Sequence, residues 1–452
     1  MTESAINPGM TRKLATWAAE LQYDDLPQDV VVLAKRQILD TLAVSWAGTM
    51  ADAVEPVIDL ARRQGGDQQA TIWGFPGKLP APQAAFVNGM LAAALDFDSL
   101  HDKATVHPDV VVIPASFALG ELLRANGREL ITAVVVGSEI TVRLGLAAKI
   151  HPGWFYSSVF GIFGGAAASA RMLQLGPDGV LNAMGIAMSQ AAGTQQALLE
   201  RSLAKRLQTA FAARNGVEAA LLAQAGITGP SQPFEGACGI GKLYTPMDSE
   251  FLGNDLGRRY EMRGMSLKKY ASCMCNHAPI EATLRLLDAG EFNLAAVEGI
   301  EVTISPFMHR LVGAPFAPGS NPQVAAQFSV QYSVASALTR RRFDAGDIAA
   351  EMVGDRTVCD LAARVEVKID ESGGKFVPAS LAVRMNDGTV LRSRVETLPG
   401  SPDAPLTEGE AHQKAKTCFG SAKNPLAAAR AETFITTINQ LEKCDDLSQL
   451  LS

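Results

Sequence analysis

The first 260 residues contain a nearly continuous series of segments in which apolar side chains recur at three- and four-residue spacing. This spacing places the apolar side chains on one face of an α-helix. Turn-forming pairs such as Asn126-Gly127 and Gly176-Pro177 separate several of the segments. We expect Gly161, Gly164 and Gly165 to let two helices approach closely. The pattern predicts helices over residues 30–40, 81–95, 109–125, 129–149, 157–174, 178–194 and 208–226.

Beyond Ser266 the pattern changes to alternating apolar and polar residues, which is typical of half-buried strands. Asn386-Asp387-Gly388 predicts a hairpin turn between the last two strands. Strands are predicted over residues 299–304, 364–369, 381–385 and 389–395, and helices over 277–289, 323–339 and from Thr407 onward. The sequence therefore predicts a mainly α protein. Its large all-helical domain, a helical bundle, takes residues 1–265 and 405–452, and a smaller α+β domain is inserted at residues 266–404.

Composition excludes several classes of protein. The net charge of −7 argues against a nucleic-acid partner, because such proteins usually carry a basic face. We see neither a signal peptide at the N-terminus nor an apolar run that predicts a membrane span. The six cysteines are scattered, which favours reduced thiols. We therefore expect a soluble, cytoplasmic protein with no membrane partner.

A cluster of ionisable side chains follows the apolar segment 84–95. The cluster consists of Asp96, Asp98, His101, Asp102 and His107. Charged groups beside a buried segment are costly unless they are paired or used, so the cluster is a candidate for acid–base chemistry. Two alternatives stay open at this point: a solvated corner between a helix and a loop, and a divalent metal site.

Two basic segments lie farther along the chain. Arg201, Lys205 and Arg206 come just before an alanine-rich predicted helix, whose free backbone N–H groups favour a bound carboxylate. A solvated basic turn is the alternative interpretation. Lys268 and Lys269 lie at the predicted domain junction, which is a common place for ligand sites.

Cysteines and a histidine follow the second basic segment. The Cys273-Met274-Cys275 spacing is too short for a usual zinc site or redox pair. Nearby cations are expected to lower the pKa of Cys273, which would then be able to act as a base. His277 is either part of the same site or a structural histidine at a helix N-terminus.

The order and spacing of several short motifs together resemble a known family. These motifs are residues 36–42, residues 95–98 with His107-Pro108, residues 189–193, Lys205, residues 212–216, residues 269–273 and residues 327–332. Nearly end to end, the chain resembles the MmgE/PrpD family, which includes 2-methylcitrate dehydratase, cis-aconitate decarboxylase and iminodisuccinate epimerase. The resemblance implies the two-domain arrangement above, a homodimer, no cofactor, and a basic cleft that binds a small polycarboxylate. Lysines in that cleft would make a metal ion unnecessary.

The resemblance also implies roles for individual residues. Asp96, His107, Lys205 and either Lys268 or Lys269 match positions that line the cleft in relatives. The shared chemistry resembles removal of a proton from carbon next to a carboxylate, with cations stabilising the carbanion. We expect His107 to be the general base or acid, oriented by Asp96, and the lysines to hold carboxylates.

Two positions depart from the family pattern. Phe155 stands where relatives often carry histidine, and Cys273 stands where the decarboxylases do. Both departures count against cis-aconitate decarboxylation. They also weaken the analogy with a dehydratase, which needs a proton donor for the departing hydroxide. Tyr156 or Cys273 is therefore expected to be the second proton carrier, and His277 and Arg201 are further candidates for substrate binding.

Three functions follow as hypotheses. The first is a hydro-lyase acting on a hydroxylated tricarboxylate such as 2-methylcitrate. The second is an epimerase of an amino- or iminodicarboxylate, which needs two proton carriers and no leaving group. The third is a helical dimer that binds a polyanion without catalysis, because sites rather than folds carry function.

Overall fold

The computed structural model describes residues 7–451 and confirms a mainly helical protein. The helices before the pattern change are α1 (Met10–Glu20), α2 (Gln28–Gly48), α3 (Val54–Gln64), α4 (Ala81–Ala93), α5 (Asp109–Leu123), α6 (Gly127–Ala147), α7 (Tyr156–Val159), α8 (Gly161–Met172), α9 (Pro177–Met188), α10 (Gln196–Leu199), α11 (Ala204–Gln224), α12 (Ile240–Leu243) and α13 (Ser249–Gly253). The later helices are α14 (His277–Asp288), α15 (Pro306–Val312), α16 (Pro322–Gln327), α17 (Val330–Arg340), α18 (Ala350–Val353), α19 (Arg356–Ala362), α20 (Glu408–Gly420) and α21 (Ala428–Asn439).

The strands form one four-stranded sheet and two short ladders in the described part of the chain. They are β1 (Ala70–Thr71), β2 (Lys78–Leu79), β3 (Leu100–His101), β4 (Met265–Ser266), β5 (Val297–Ile304), β6 (Val365–Ile369), β7 (Ala379–Met385) and β8 (Val390–Val395). The large sheet has the order β6-β5-β7-β8, with β5 and β6 parallel and the other pairs antiparallel. The predicted hairpin joins β7 to β8, and Gly388 adopts φ 87° in its turn.

The core of the helical region is built from α4, α5, α6, α8 and α11, which pack against one another. Every residue of α5 from Asp109 to Glu121 is buried. A helix that is largely apolar on all sides has to be kept from water, and here the surrounding helices do so. These helices form the rigid wall on which the candidate site is built.

Helix α6 is long and apolar enough to cross a membrane, with a mean hydropathy of 1.7, which the sequence analysis did not anticipate. However, 94% of its most apolar window is buried inside the protein. Glu139 and Arg143 form a fully buried ion pair on this helix at 2.7 Å. The burial is that of a core helix packed on all sides.

Glycines allow the close helix contacts that the sequence predicted. Gly137 of α6 and Gly164 of α8 face each other, and a Cβ atom on Gly137 would lie 2.8 Å from the Gly164 carbonyl oxygen. Gly165 faces Gly216 of α11 in the same way. Since a side chain at these crossings would meet backbone atoms, the helices could not keep their present separation.

Two predicted helices are divided in the structure. The segment 157–174 becomes α7 and α8, and the segment 323–339 becomes α16 and α17. The second division occurs at Ser329, whose Oγ accepts a hydrogen bond from the Tyr332 amide at 3.2 Å and so caps α17. Serine favours such caps over helix interiors because its hydroxyl competes for backbone groups.

The C-terminal helices α20 and α21 pack against α2, near the other end of the chain. Lys414 of α20 forms a buried ion pair with Asp40 of α2 at 2.6 Å. The same ammonium group donates to the Phe97 carbonyl oxygen at 3.0 Å. The C-terminal helices therefore support the segment that contains the acidic cluster. The domain boundaries stay a prediction from the sequence.

The antiparallel ladder of β3 and β4 positions the candidate site. It pairs Leu100 with Ser266 and His101 with Met265. These strands are distant in sequence, and neither was predicted. The ladder brings the acidic cluster of residues 96–107 next to the segment that leads into Lys268.

We predict that Gly164→Ala will lower the free energy of unfolding by about 2 kcal/mol or more, because overpacking of this kind typically costs about 1–3 kcal/mol. The new Cβ atom would overlap Thr141 Oγ1 and the Gly137 carbonyl oxygen. Gly409→Ala is the control, because nothing lies within 4 Å of its Cβ position in α20. Urea unfolding measures both variants, and equal stabilities would contradict the close-packing argument.

Candidate active site

A cavity of about 390 Å³ opens beside the acidic cluster. Its walls come from the 96–107 segment, from residues 151–157, from the start of α11, and from α15 with the loop before β7. Its polar or ionisable side chains include Asp96, Lys103, His107, His151, Tyr156, Lys205, Lys268, Cys273, Cys275, Arg310 and Lys375. The acidic cluster, the first basic segment and the second basic segment with its cysteines therefore all contribute side chains to one cavity.

Asp96 is held between two ammonium groups. Its Oδ1 lies 2.7 Å from Lys205 Nζ and 3.1 Å from Lys268 Nζ. Lys268 Nζ also donates to the Asp96 carbonyl oxygen at 2.8 Å. The backbone of Asp96 adopts φ 50°, a conformation that few non-glycine residues take. The two lysine contacts therefore fix both the side chain and the backbone of Asp96.

Burial and neighbouring charges have opposite effects on the pKa values of Asp96 and Lys268. Burial alone would raise the pKa of Asp96, but Lys205 and Lys268 outweigh it and hold that pKa well below its usual range. Burial would lower the pKa of Lys268, but Asp96 and Asp98 raise it instead. The cluster thus keeps an ionised carboxylate and a protonated Lys268 in a poorly hydrated place.

His107 pairs with Asp98, and not with Asp96 as the sequence analysis expected. The Nδ1 atom of His107 donates to Asp98 Oδ2 at 2.6 Å. Burial would raise the pKa of Asp98, but the neighbouring His107 and Lys268 lower it. The difference arises because the Asp96 carboxylate already pairs with Lys205 and Lys268. An ionised Asp98 fixes the ring so that Nε2 carries the free lone pair.

Two thiols lie side by side on the cavity wall. A hydrogen bond between the Cys273 and Cys275 side chains lowers the pKa of Cys273, burial opposes the shift, and Lys268 adds to it. Burial raises the pKa of Cys275 well above its usual value. Both side chains line the cavity. Cys273 is thus the thiol that ionises first.

Aromatic rings lie close to Lys205 and form part of the cavity wall. Lys205 Nζ lies 5.9 Å from the Phe155 ring centre and 5.6 Å from the Phe328 ring centre. The Tyr156 hydroxyl donates to the Ile150 carbonyl oxygen at 2.5 Å, and burial raises the pKa of this tyrosine. His151 packs on Tyr156 with ring centres 4.8 Å apart. Tyr156 therefore lines the cavity, but its hydroxyl is already hydrogen-bonded to the backbone of Ile150.

Three predicted substrate-binding residues do not line the cavity in the structure. Lys269 pairs with Glu281 at 2.9 Å and faces away, so Lys268 is the lysine at the site. His277 is fully buried behind the wall, where burial lowers its pKa to about 3. Arg201 donates to the Ala317 carbonyl oxygen at 3.3 Å instead of facing the cavity.

Sequence reasoning missed several residues that line the cavity. His151 lies four positions before Phe155, so the short His151-Pro152-Gly153 turn was the available signal. Arg310 lies in the last turn of α15, the helix that follows β5, and no motif in the sequence singled it out. Lys375 lies in an irregular loop before β7, and no local pattern pointed to it.

The carboxylates of Asp96 and Asp98 and the imidazole of His107 could together ligate a metal ion, since their candidate ligand atoms lie within 4.8 Å of one another. However, Asp96 already contacts two ammonium groups. A divalent ion would be repelled by these lysines, whose charges neutralise the same carboxylate. The donor set fits an ion-pair cluster better than a metal centre.

Two family domains account for most of the chain. Residues 12–251 match the MmgE/PrpD N-terminal domain, and residues 270–441 match the MmgE/PrpD C-terminal domain. Together they contain both the helical wall and the later segments that close the cavity. The chain belongs to the MmgE/PrpD family.

The chain is also similar along its length to proteins named cis-aconitate decarboxylase. It is 28% identical to the one from Aspergillus terreus over 480 residues, which cover 100% of this chain and 97% of the relative. It is 27% identical to the one from Mus musculus over 462 residues, covering 98% and 92% of the two chains. For the Homo sapiens protein the identity is 26%, with 98% and 93% covered. Because decarboxylases of this kind are lyases, the relatives support a lyase-type function at the level of the family.

We predict that Lys268→Met will lower the free energy of unfolding by about 3 kcal/mol or more, because breaking a buried ion pair leaves a charge without its partner. Lys269→Met is the matched control. Its partner Glu281 keeps contacts with Tyr270 and Arg285, so its cost should stay below about 1 kcal/mol. Urea unfolding distinguishes the two, and a larger loss for Lys269→Met would contradict the assignment.

Proposed function

We propose that this protein is a cofactor-independent lyase that removes a proton from carbon next to a carboxylate of a small polycarboxylate. We further propose a hydro-lyase, similar to 2-methylcitrate dehydratase. The single observation that supports the proposal is the meeting of the His107–Asp98 pair with the Lys205–Asp96–Lys268 cluster at one cavity. A base and a cationic carboxylate site are the two parts that such a reaction needs.

His107 removes the proton in this mechanism. Its Nδ1 faces Asp98, so Nε2 is the atom available to a substrate in the cavity. As the carbon–hydrogen bond breaks, the proton moves to Nε2 and its electron pair moves toward the substrate carboxylate. Asp98 then faces an imidazolium ion and stabilises it. The side chain of Asp98 does not line the cavity, so it acts as a positioning residue.

Lys205 and Lys268 stabilise the negative charge that develops on the substrate. They reach the cavity from different segments and share Asp96 as a counter-ion. The shared carboxylate holds both ammonium groups in place before a substrate arrives, so little reorganisation is needed during the reaction. A substrate carboxylate beside them completes the neutralisation of two positive charges.

Loss of hydroxide needs a second proton carrier. As the carbon–carbon double bond forms, the carbon–oxygen bond breaks and the departing oxygen takes a proton to leave as water. Cys273 is the better candidate, because its thiol lines the cavity and has a lowered pKa. Tyr156 is less suited, since its hydroxyl already donates to Ile150 and its pKa is raised.

Cys273 also favours a second candidate function. A thiol or thiolate and an imidazole on one cavity form a pair of proton carriers, which an epimerase needs on opposite faces of a carbon. One carrier would remove the proton and the other would return a proton to the opposite face. An amino- or iminodicarboxylate such as iminodisuccinate would be the substrate.

Decarboxylation is the third outcome to be tested, because relatives carry that name. The resemblance implies histidine in decarboxylases at the position of Cys273 and often in relatives at that of Phe155. An apolar ring cannot donate a proton, and a thiol has different acidity from an imidazole. These two residues argue against decarboxylation by this chain.

The function is tested by proton and carbon NMR of a polycarboxylate panel in deuterated water. We expect 2-methylcitrate or a related hydroxy acid to lose water, with new alkene signals. Loss of the α-hydrogen signal with an intact carbon skeleton would support the epimerase. Release of a labelled carboxyl carbon from cis-aconitate would contradict both. Binding without any reaction across the panel would overturn the enzyme proposal in favour of a polyanion-binding protein.

We predict that Asp98→Asn will reduce kcat about a hundred- to ten-thousand-fold, because losing the carboxylate that orients a catalytic histidine has an effect of this size. KM should change little, since Asp98 does not line the cavity. Asp178→Asn serves as the control, because this side chain is 85% exposed. Unchanged kcat in Asp98→Asn would remove the His107–Asp98 pair from the mechanism.

A further inference from the structure

We propose that Lys375 and Arg310 form a second carboxylate subsite, which binds a carboxylate of the substrate that is remote from the reacting carbon. The proposal rests on the proposed function, because it concerns the same substrate in the same cavity. The proposal narrows the substrate class to polycarboxylates with two separated carboxylates. One carboxylate binds Lys205 and Lys268, the distal one binds Lys375 and Arg310, and an apolar or methylene segment joins them.

Lys375 is a partly buried cation that forms no ion pair with a carboxylate in the described part of the chain. Its Nζ donates to Thr105 Oγ1 at 2.7 Å and to the Asp102 carbonyl oxygen. Within residues 7–451 it forms no ion pair, and the nearby Asp102 carboxylate accepts a hydrogen bond from Ser266 Oγ at 3.0 Å instead. Burial lowers the pKa of Lys375, and the nearby Asp102 carboxylate and Cys275 thiol only partly oppose that shift. An anion at this point would offset the cost of burying the charge.

Arg310 supplies a second positive charge beside the ring of Phe307, which Lys375 also approaches. The Phe307 ring centre lies 5.2 Å from Lys375 Nζ and 5.3 Å from Arg310 Cζ. Both cations line the cavity, and no carboxylate in the described chain pairs with Arg310. Two like charges around one ring repel each other unless an anion lies near both. The arrangement is therefore suited to a bound carboxylate.

The two cationic groups of the cavity differ in how their charge is balanced. Lys205 and Lys268 share the carboxylate of Asp96, whereas neither Lys375 nor Arg310 forms an ion pair within residues 7–451. The first group lies beside His107, where charge develops during the reaction. The second group comes from α15 and the loop before β7. It binds the distal carboxylate and takes no part in the proton transfer. Carboxylate recognition of this kind contributes affinity and orientation.

Aromatic rings determine what can lie between the two groups. Phe307 and Phe376 flank Lys375, with its Nζ 5.2 Å from each ring centre. Phe155 and Phe328 flank Lys205 at the other group. A ligand that joins the groups must pass along apolar surface, which suits the methylene and alkyl parts of such a polycarboxylate.

Calorimetric titration with two non-reactive ligands tests the subsite. Tricarballylate has three carboxylates, and methylsuccinate has a methyl group in place of one terminal carboxymethyl group. We expect the wild-type protein to bind tricarballylate at least tenfold more tightly, because a charged hydrogen bond typically contributes about 1.5–3 kcal/mol. In Arg310→Gln and Lys375→Gln the ratio should fall to about threefold or less, which corresponds to loss of most of that contribution.

The control is Arg356→Gln, which removes the same charge from a side chain that is 94% exposed, and it should keep the wild-type ratio. Glutamine at 375 retains a donor for the Asp102 carbonyl oxygen, and Arg310 is exposed, so both variants are expected to fold. An unchanged ratio in both variants, or no binding of tricarballylate at millimolar concentration, would overturn the subsite. Because the titration needs no turnover, an inactive protein with the expected ratios would contradict only the proposed reaction.

Discussion

The contact of Asp96 with Lys205 and Lys268 is the interaction on which the site depends. It joins three segments that are far apart in sequence: the loop after α4, the first turn of α11 and the segment after β4. Removing two ammonium groups and a carboxylate from water is costly, and their mutual attraction offsets that cost only while all three remain in place. The cluster therefore links the geometry of the cavity to the stability of the fold around it.

The helical core allows this cluster to exist. Closely packed helices such as α5, α6 and α8 form a rigid wall behind the loop that contains Asp96, Asp98 and His107. The short β3–β4 ladder and the contact of Lys414 with Phe97 hold that loop from two further sides. Because charged groups in a poorly hydrated place interact strongly, small shifts of the loop would change both the ion pairs and the orientation of His107.

Periodicity alone predicted the main helices, the strands of the large sheet and the β7–β8 hairpin, because each depends on local spacing. The resemblance to a family predicted the convergence of Asp96, His107 and Lys205 with one of the two lysines at 268 and 269, and the structure places Lys268 there. The partner of His107 was not predictable, since Asp96 and Asp98 lie two residues apart on an irregular loop and only three-dimensional contacts decide between them. Lys375 was missed for a similar reason, as it reaches the cavity from a loop with no regular pattern.

The central claim is that one cavity binds a polycarboxylate between the lysine cluster and His107. A crystal structure with bound tricarballylate tests it most directly. We predict one carboxylate within hydrogen-bonding distance of Lys205 and Lys268 Nζ, and the adjacent carbon facing His107 Nε2, with the contact between His107 and Asp98 retained. A ligand bound elsewhere, or a bound ligand whose carbon atoms face away from His107, would contradict the account.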